Sequence, residues 1–183
     1  MMIDLKQIDS SWTLFLDRDG VINHEKHEDY IHTWDEFIFY EGVKEAISTF
    51  AAKFKYIIVI TNQKGVGKGL TKLEDLTVIH NNMQAAIEKA GGKIDRIYFC
   101  AALEQDHPNR KPNPGMGLQA KNDFPGIDLS KAIMVGNKFS DMEFGRNIGI
   151  KTVFLTTTNP ETDITDPRID AAYPSLFAFA QAL

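Results

Sequence analysis

The sequence has one cysteine, no long apolar segment and no excess of positive charge, and each absence narrows the function. Cys100 is alone, so it cannot form an internal disulfide, and a reducing, cytoplasmic setting is the simplest interpretation. No apolar run approaches the roughly 18 residues of a membrane-spanning helix. Residues 1–4 lack the basic and apolar segments of a signal peptide. The net charge of −5 disfavours a nucleic-acid partner, whose binding surface is usually basic.

The composition is that of a globular protein, with 183 residues, 43% hydrophobic and 25% charged. We therefore expect a single domain over residues 1–183. Strand-like apolar runs alternate with helical patterns, which predicts a three-layer α/β sandwich with a mostly parallel central sheet. The predicted strands are 12–16, 56–60, 94–100, 132–135 and 152–155, with a short edge strand and a last helix in the tail 160–183.

The predicted helices have recognisable ends. One runs from Gly42 to Lys53, and a capping box at 71–74 opens another that ends near Ala90. A further helix begins at Pro114, and Ser140 is expected to cap the one after it. These helices and their loops fill the intervals between the strands, so we expect no large cap domain and an open active site.

The most informative stretch is 14–23, where an apolar strand ends in Asp17 and Asp19, followed at once by Gly20. The glycine permits a turn with positive φ. Two carboxylates this close repel each other, so they need a cation or a shared proton. One of them can attack phosphorus while the other handles protons, and Mg²⁺ would suit such a pair.

Polar side chains follow three further strands. Because parallel strands bring their carboxyl ends to one edge of a sheet, these residues should converge with the acid pair. They supply hydroxyl, amide, cationic and metal-ligating groups, which are the groups that phosphoryl transfer uses. The set comprises Thr61 and Asn62, then Arg110 and Lys111, and then Asn137, Lys138 and Asp141.

With these motifs in order, the chain resembles the haloacid dehalogenase superfamily of phosphohydrolases over about residues 12–158. Within it, the chain looks most like the branch of heptose bisphosphate and histidinol-phosphate phosphatases. The matching motifs are LDRDGVIN at 16–23, TNQ at 61–63, RKPNPGM at 110–116 and MVGNK at 134–138, and the segments 30–42 and 63–69 are also similar.

The resemblance implies roles for single residues. Asp17 would be the nucleophile that forms an aspartyl-phosphate, and Asp19 the general acid and then base. Thr61 would hold phosphate oxygens, and Lys111 would neutralise charge. The remaining assignments are substrate binding by Asn62, Lys64, Arg110 and Lys138, and Mg²⁺ binding by Asp17, Asp19 (through its backbone carbonyl), Asn137 and Asp141.

Two departures from the family pattern affect metal binding. Asn137 stands where the family usually has an Mg²⁺-binding Asp, so the site loses one negative charge, which Asp141 could restore directly or through water. Many heptose-type relatives carry a zinc loop of Cys and His. Here only Cys100 and His107 remain in that span, so we expect no structural zinc.

These observations predict an Mg²⁺-dependent phosphatase of carbohydrate metabolism that acts on a small phosphorylated metabolite. The first candidate substrate is D-glycero-D-manno-heptose 1,7-bisphosphate, and the second is histidinol phosphate. The alternatives are a phosphate-binding domain weakened or retired by Asn137, and a phosphatase acting on a macromolecule. We expect no nucleic-acid or membrane partner, and a monomer or weak oligomer. His80, on a predicted helix, is interpreted as structural.

Overall fold

Six strands form one sheet in which each neighbouring pair is parallel. The computed structural model describes residues 3–183, so Met1 and Met2 of the predicted domain lie outside the described residues. The spatial order of the strands is β3-β2-β1-β4-β5-β6. Their bounds are β1 Thr13–Leu16, β2 Tyr56–Asn62, β3 Arg96–Cys100, β4 Ala132–Gly136, β5 Lys151–Leu155 and β6 Ala171–Tyr173.

The helices cover both faces of this sheet. Their bounds are α1 Val43–Lys53, α2 Lys64–Gly67, α3 Leu73–Lys89, α4 Gly115–Asp123, α5 Phe139–Ile148 and α6 Leu176–Ala182, with short 3₁₀ turns at Leu5–Gln7, Trp34–Glu36 and Leu129–Lys131. One apolar cluster joins the sheet to α1, α3 and α6, and a second joins its other face to α4 and α5. The predicted three-layer α/β sandwich is therefore confirmed.

The central strand β1 shows why the sequence folds this way. Leu14 and Leu16 lie in the first apolar cluster, and Phe15 lies in the second. Successive side chains of a strand point to opposite faces, and a strand covered on both faces needs apolar residues at every position. The four residues of β1 are all buried, and the three that follow Thr13 form the continuous apolar run seen in the sequence.

The strand order reverses beside β1, because β2 lies on one side of it and β4 on the other. Open α/β sheets bind ligands in the crevice at such a reversal, outside the carboxyl ends of the strands. The register pairs Leu16 of β1 with Val59 of β2 and Val135 of β4, so the residues after these three strands meet at one edge. Within residues 3–183, the connections near that edge hold only helices and loops, consistent with the predicted absence of a large cap.

Several details differ from the predictions. β1 begins at Thr13 and β3 at Arg96, one and two residues later than predicted. β2 continues to Asn62 because its pairing with β3 extends to Cys100. The capping box at 71–74 is wrong: Lys72 precedes α3, and the Thr71 hydroxyl instead bonds the His32 ring at 2.8 Å. Ser140 is not the cap of α5, since that helix already begins at Phe139.

Among residues 3–183, we find no helix with the length and apolar character required to cross a bilayer.

Candidate active site

A buried lysine lies between two carboxylates beneath the crevice. Lys111 Nζ lies 2.9 Å from Asp17 Oδ1 and 2.6 Å from Asp141 Oδ1, and it donates a hydrogen bond to the Ile60 carbonyl at 2.8 Å. Burial alone would lower the pKa of Lys111, but the two carboxylates outweigh it and raise the pKa above the usual value. Lys111 therefore stays cationic beside the proposed nucleophile.

Burial acts in the opposite direction on Asp17. It raises the pKa of the carboxyl above its ordinary value, Lys111 partly offsets this, and Asp141 adds to it. Asp17 Oδ1 also accepts a hydrogen bond from the Arg18 backbone N–H at 2.8 Å, which fixes the side chain at the end of β1.

The second carboxylate of the motif, Asp19, is surrounded by donors. Arg18 donates from Nη2 to both Asp19 oxygens, at 2.8 and 2.9 Å, and from Nε at 3.1 Å. Asn23 Nδ2 and Gln63 Nε2 each donate to Asp19 at 2.9 Å. Burial opposes ionisation, but these donors outweigh it and hold the pKa of Asp19 below its usual range. Asp19 is therefore an anion in the free protein.

Arg18, Asn23 and Gln63 were not among the predicted site residues, although all three lie within the matched motifs. Position was the available signal for two of them, since Arg18 and Gln63 each adjoin an assigned residue, whereas Asn23 is only the last residue of the motif at 16–23. What sequence spacing did not reveal is that their side chains converge on one carboxylate.

Thr61 and Asn62 end β2, and the structure uses them differently. Thr61 is buried, and its hydroxyl accepts a hydrogen bond from Gln63 Nε2 at 2.9 Å. The Asn62 amide bonds the backbone of Lys111 in both directions, at 3.0 Å each. Asn62 therefore fixes the segment that carries Lys111, and a substrate contact by its side chain stays a prediction.

Asp141 fixes the turn after β4 as well as Lys111. Its Oδ2 accepts hydrogen bonds from the backbone N–H groups of Asn137 at 3.2 Å and Lys138 at 3.1 Å. With Oδ1 on Lys111, both oxygens of this carboxylate are engaged. Direct compensation by Asp141 for the charge that Asn137 lacks would require some of these contacts to change, and metal binding by Asp141 stays a prediction.

Asn137 is buried and carries an oxygen with no partner. Its Nδ2 donates to Thr158 Oγ1 at 2.7 Å and to Glu25 Oε1 at 3.4 Å, whereas its Oδ1 makes no hydrogen bond among the described residues. A buried oxygen without a donor is costly, and a hard cation such as Mg²⁺ would satisfy it. The residues present therefore fit the metal that the sequence predicts here.

The crevice opens into a cavity of about 530 Å³. The predicted residues that line it are Asp17, Asp19, Asn62, Lys64, Arg110, Lys111, Lys138 and Asp141, whereas Thr61 and Asn137 lie beneath its surface. Glu25, which the sequence analysis did not single out, also lines the cavity and pairs with Lys138 Nζ at 2.6 Å. Burial would lower the pKa of Lys138, but Glu25 outweighs it and raises the pKa.

Arg110 lies at the wall of the cavity and is largely buried. Its guanidinium donates to the Ala102 carbonyl at 2.9 Å and to Gln105 Oε1 at 3.4 Å. These contacts tie the loop after β3 to the Lys111 segment.

The remnant of the zinc loop contains one short contact. Cys100 Sγ lies 3.6 Å from His107 Nδ1. Residues 3–183 contain no group of three or more His, Cys, Asp or Glu side chains arranged to hold a metal ion. The absence of structural zinc stays a prediction for elemental analysis. The predicted Mg²⁺ site differs in kind, because its ligands would be carboxylate, backbone and amide oxygens and no Cys or His.

An acid pair after the central strand of a doubly wound sheet, with a buried lysine bridging from the neighbouring loop, defines the class of haloacid dehalogenase-type phosphohydrolases. The family model described as polynucleotide kinase 3 phosphatase matches residues 9–154.

Individual relatives narrow the class. A Mycobacterium tuberculosis D-glycero-alpha-D-manno-heptose-1,7-bisphosphate 7-phosphatase is 34% identical over 173 residues, which cover 94% of this chain and 91% of the relative. A Helicobacter pylori D-glycero-beta-D-manno-heptose-1,7-bisphosphate 7-phosphatase is 36% identical over 155 residues, covering 84% and 87%. The crystal structure of a D,D-heptose 1,7-bisphosphate phosphatase from B. bronchiseptica with magnesium and phosphate superposes with a TM-score of 0.84 at 27% identity, covering 93% and 97%. The chain belongs to the haloacid dehalogenase-like phosphatase family that includes these heptose bisphosphate phosphatases.

Proposed function

We propose that this protein removes the 7-phosphate from D-glycero-D-manno-heptose 1,7-bisphosphate through an aspartyl-phosphate on Asp17. The observation that carries the proposal is the pairing of Asp17 with Lys111 at 2.9 Å at the end of the central strand, with Asp19 two residues on. The names of the relatives support the choice of substrate.

In the first step, an oxygen of Asp17 attacks the phosphorus, and the bond between phosphorus and the sugar oxygen breaks. Asp19 gives its proton to the departing sugar oxygen. Since Asp19 is anionic in the free protein, we expect it to take up that proton as the anionic phosphate enters beside it. Lys111 offsets the negative charge that collects on Asp17 and the phosphoryl group.

In the second step, Asp19 accepts a proton from water as the water oxygen attacks the phosphorus of the aspartyl-phosphate. The bond to Asp17 breaks, which releases inorganic phosphate and restores the Asp17 carboxylate. Asp19 then holds the proton taken from water and becomes an anion again when it loses this proton after the phosphate leaves. Thr61 and the backbone after β2 would hold the phosphate oxygens in both steps. Asp141 contributes by keeping Lys111 and the turn after β4 in place.

The residues that would hold Mg²⁺ are the Asp17 carboxylate, the Asp19 backbone carbonyl and Asn137 Oδ1. When bound, the ion would neutralise and orient the phosphate. The proposal is supported by the unpartnered Asn137 oxygen and by the magnesium and phosphate in the B. bronchiseptica structure.

A bisphosphate needs positive charge away from the reacting phosphate. Lys64, Lys68 and Arg110 line the cavity and supply such charge for the phosphate on C1. Relatives carry either the alpha or the beta form in their names, so the position of the C1 phosphate against these cations would decide which anomer is accepted.

Histidinol phosphate is a second candidate because the same cavity also contains Glu25, Glu28 and Asp29, whose carboxylates could pair with its ammonium group. The matched family model carries the name of a polynucleotide phosphatase, but the net charge of −5 disfavours a nucleic-acid substrate.

The test is phosphate release from heptose bisphosphate, heptose 7-phosphate, histidinol phosphate and a 3′-phosphorylated oligonucleotide, with the product identified by phosphorus NMR. We expect turnover of the bisphosphate at C7. Lys64→Ala should raise KM for the bisphosphate about 10-fold, by loss of a charge-assisted contact, and leave KM for heptose 7-phosphate unchanged. Lys89→Ala removes an exposed lysine on α3, outside the cavity lining, and is the control that should leave both KM values unchanged. Turnover of histidinol phosphate alone would refute the heptose assignment.

A further inference from the structure

His80 lies on α3, outside the cavity lining, yet its side chain points to the acid pair. The residue is buried, and its Nε2 lies 3.1 Å from Arg18 Nη1. We propose that His80 is a positioning residue for the acid–base chemistry of Asp19: it orients Arg18, and Arg18 in turn orients Asp19. This inference rests on the proposed role of Asp19 as general acid.

The protonation state of His80 fixes the direction of its hydrogen bond. Burial and the neighbouring Arg18 lower the pKa of His80 to about 3, with Asp19 acting weakly in the opposite sense. A neutral imidazole has one bare ring nitrogen, and arginine only donates. Arg18 therefore donates from Nη1 to Nε2 of His80. The ring also lies beside Phe99, with the two ring centroids 6.1 Å apart.

Because the Arg18 guanidinium is planar and rigid, a rotation that moves one of its N–H groups moves all of them. Nη1 is directed to His80, while Nη2 and Nε are directed to Asp19 at 2.8 to 3.1 Å. The Arg18 side chain is 1% exposed, so water cannot replace a lost acceptor at Nη1. Without His80, the guanidinium would turn to find another acceptor, and the paired contacts with Asp19 would loosen.

Asn23 and Gln63 would still hold the two Asp19 oxygens, one each. The carboxylate would therefore stay in the site, but with a less defined orientation toward the leaving group. The expected defect is in proton delivery and not in substrate binding.

Proton delivery can be isolated through the leaving group. A sugar alkoxide is a poor leaving group and needs the general acid, whereas p-nitrophenolate departs without it. Since kcat/KM reports only the steps through departure of the leaving group, it separates this defect from the later attack of water. The comparison is kcat/KM for heptose bisphosphate and for p-nitrophenyl phosphate in each variant.

We expect His80→Leu to lower kcat/KM about 10-fold for the sugar phosphate, which is part of the roughly 100-fold or more that a general acid contributes, and less than 2-fold for p-nitrophenyl phosphate. His80→Gln should restore most of the loss because its amide oxygen reaches the place of Nε2. Met83→Leu, a volume-conserving change in the same helix, should alter neither value. If His80→Leu does not fold, His80→Asn replaces it, because that amide is too short to reach Arg18.

The Asp19→Asn variant distinguishes failure of the His80 proposal from failure of the proposed function. Suppose that Asp19→Asn lowers kcat/KM selectively for the sugar phosphate, while the His80 variants lower kcat/KM equally for both substrates or not at all. This result overturns the role of His80 and leaves the proposed function intact. An Asp19→Asn variant without that selectivity, or a wild type inactive on both substrates, overturns the proposed function and this inference together.

Discussion

Lys111 Nζ lies 2.6 Å from Asp141 Oδ1, and both side chains are almost completely inaccessible to solvent. Without the Asp141 charge, Lys111 would keep Asp17 at 2.9 Å but would lose its shorter ion pair, and the Asn137 and Lys138 N–H groups would lose a charged acceptor. Breaking a buried ion pair in this way costs about 3 kcal/mol. We predict that Asp141→Asn lowers the free energy of unfolding by about this amount, measured with urea. It should also lower kcat at least about 10-fold, because Lys111 is then less well positioned beside Asp17.

Asp35→Asn is the matched control, since this exposed carboxylate lies outside the cavity lining. It should leave the free energy of unfolding within about 0.5 kcal/mol of the wild-type value and should leave kcat unchanged. Equal stability of Asp141→Asn and Asp35→Asn would refute the structural importance of the buried pair.

Gly20 provides a test of how closely the acid-pair turn packs against the turn after β4. It has φ +82°, and a Cβ there would lie 2.0 Å from Asn137 Nδ2. Gly69 has a similar φ of +71° but no atom within 4 Å of its Cβ position. We predict that Gly69→Ala costs about 1 kcal/mol, from backbone strain alone, and that Gly20→Ala costs about 3 kcal/mol, from strain plus overlap. Urea unfolding measures both, and equal costs would contradict the close packing.

Asn137 should set the amount of Mg²⁺ that the enzyme requires. Replacing the neutral amide by a carboxylate adds a negative charge where the metal would bind, and ligand charge strongly affects affinity for hard cations. We predict that Asn137→Asp lowers the Mg²⁺ concentration for half-maximal activity about 10-fold, with the same shift in direct calorimetric binding. The control is Asn81→Asp, which adds the same charge on the exposed face of α3. An unchanged Mg²⁺ dependence would remove Asn137 from the metal site.

Asp170 should contribute to stability in a pH-dependent way. Burial alone would raise its pKa, but hydrogen bonds from Arg146 at 2.9 and 3.0 Å and from the Thr152 N–H outweigh burial and lower it. A group with a lowered native pKa stabilises the fold above its unfolded pKa of about 3.9, and this contribution is lost as the pH falls further, through the native pKa.

We therefore predict that Asp170→Asn lowers the free energy of unfolding by about 2 kcal/mol at pH 7. The difference from the wild type should shrink as the pH falls below about 4. Thermal and urea unfolding at both pH values measure it, with exposed Asp106→Asn as the control. A difference that is independent of pH would mean that packing, and not charge, holds Asp170 in place.

Much of the fold was predictable because local patterns determine it. The apolar runs of the strands are long and end in turn residues, and the parallel topology then requires the four motif segments to share one edge. The error at the start of α3 occurred where a tertiary contact overrode a local signal. Thr71 fits a capping box by sequence, but its hydroxyl is engaged by His32, which lies 39 residues earlier.

The candidate site was only partly predictable for the same reason. Asp17, Asp19 and Lys111 are recognisable from their motifs, and the structure brings them together. The contacts of Arg18 with His80 and of Asn137 with Glu25 join residues 62 and 112 positions apart. No local periodicity or spacing specifies such pairs, because they depend on how helices and loops pack around the finished sheet.

The most direct test of the central claim is phosphate release from heptose bisphosphate with Mg²⁺ present, by the wild type and by Asp17→Asn. Mass spectrometry of the acid-quenched wild-type enzyme would detect the aspartyl-phosphate. We predict release of one phosphate per sugar, a transient gain of one phosphoryl group at Asp17, and loss of both in the variant with its fold intact. Undiminished turnover by Asp17→Asn, or phosphate found on another residue, would contradict the account.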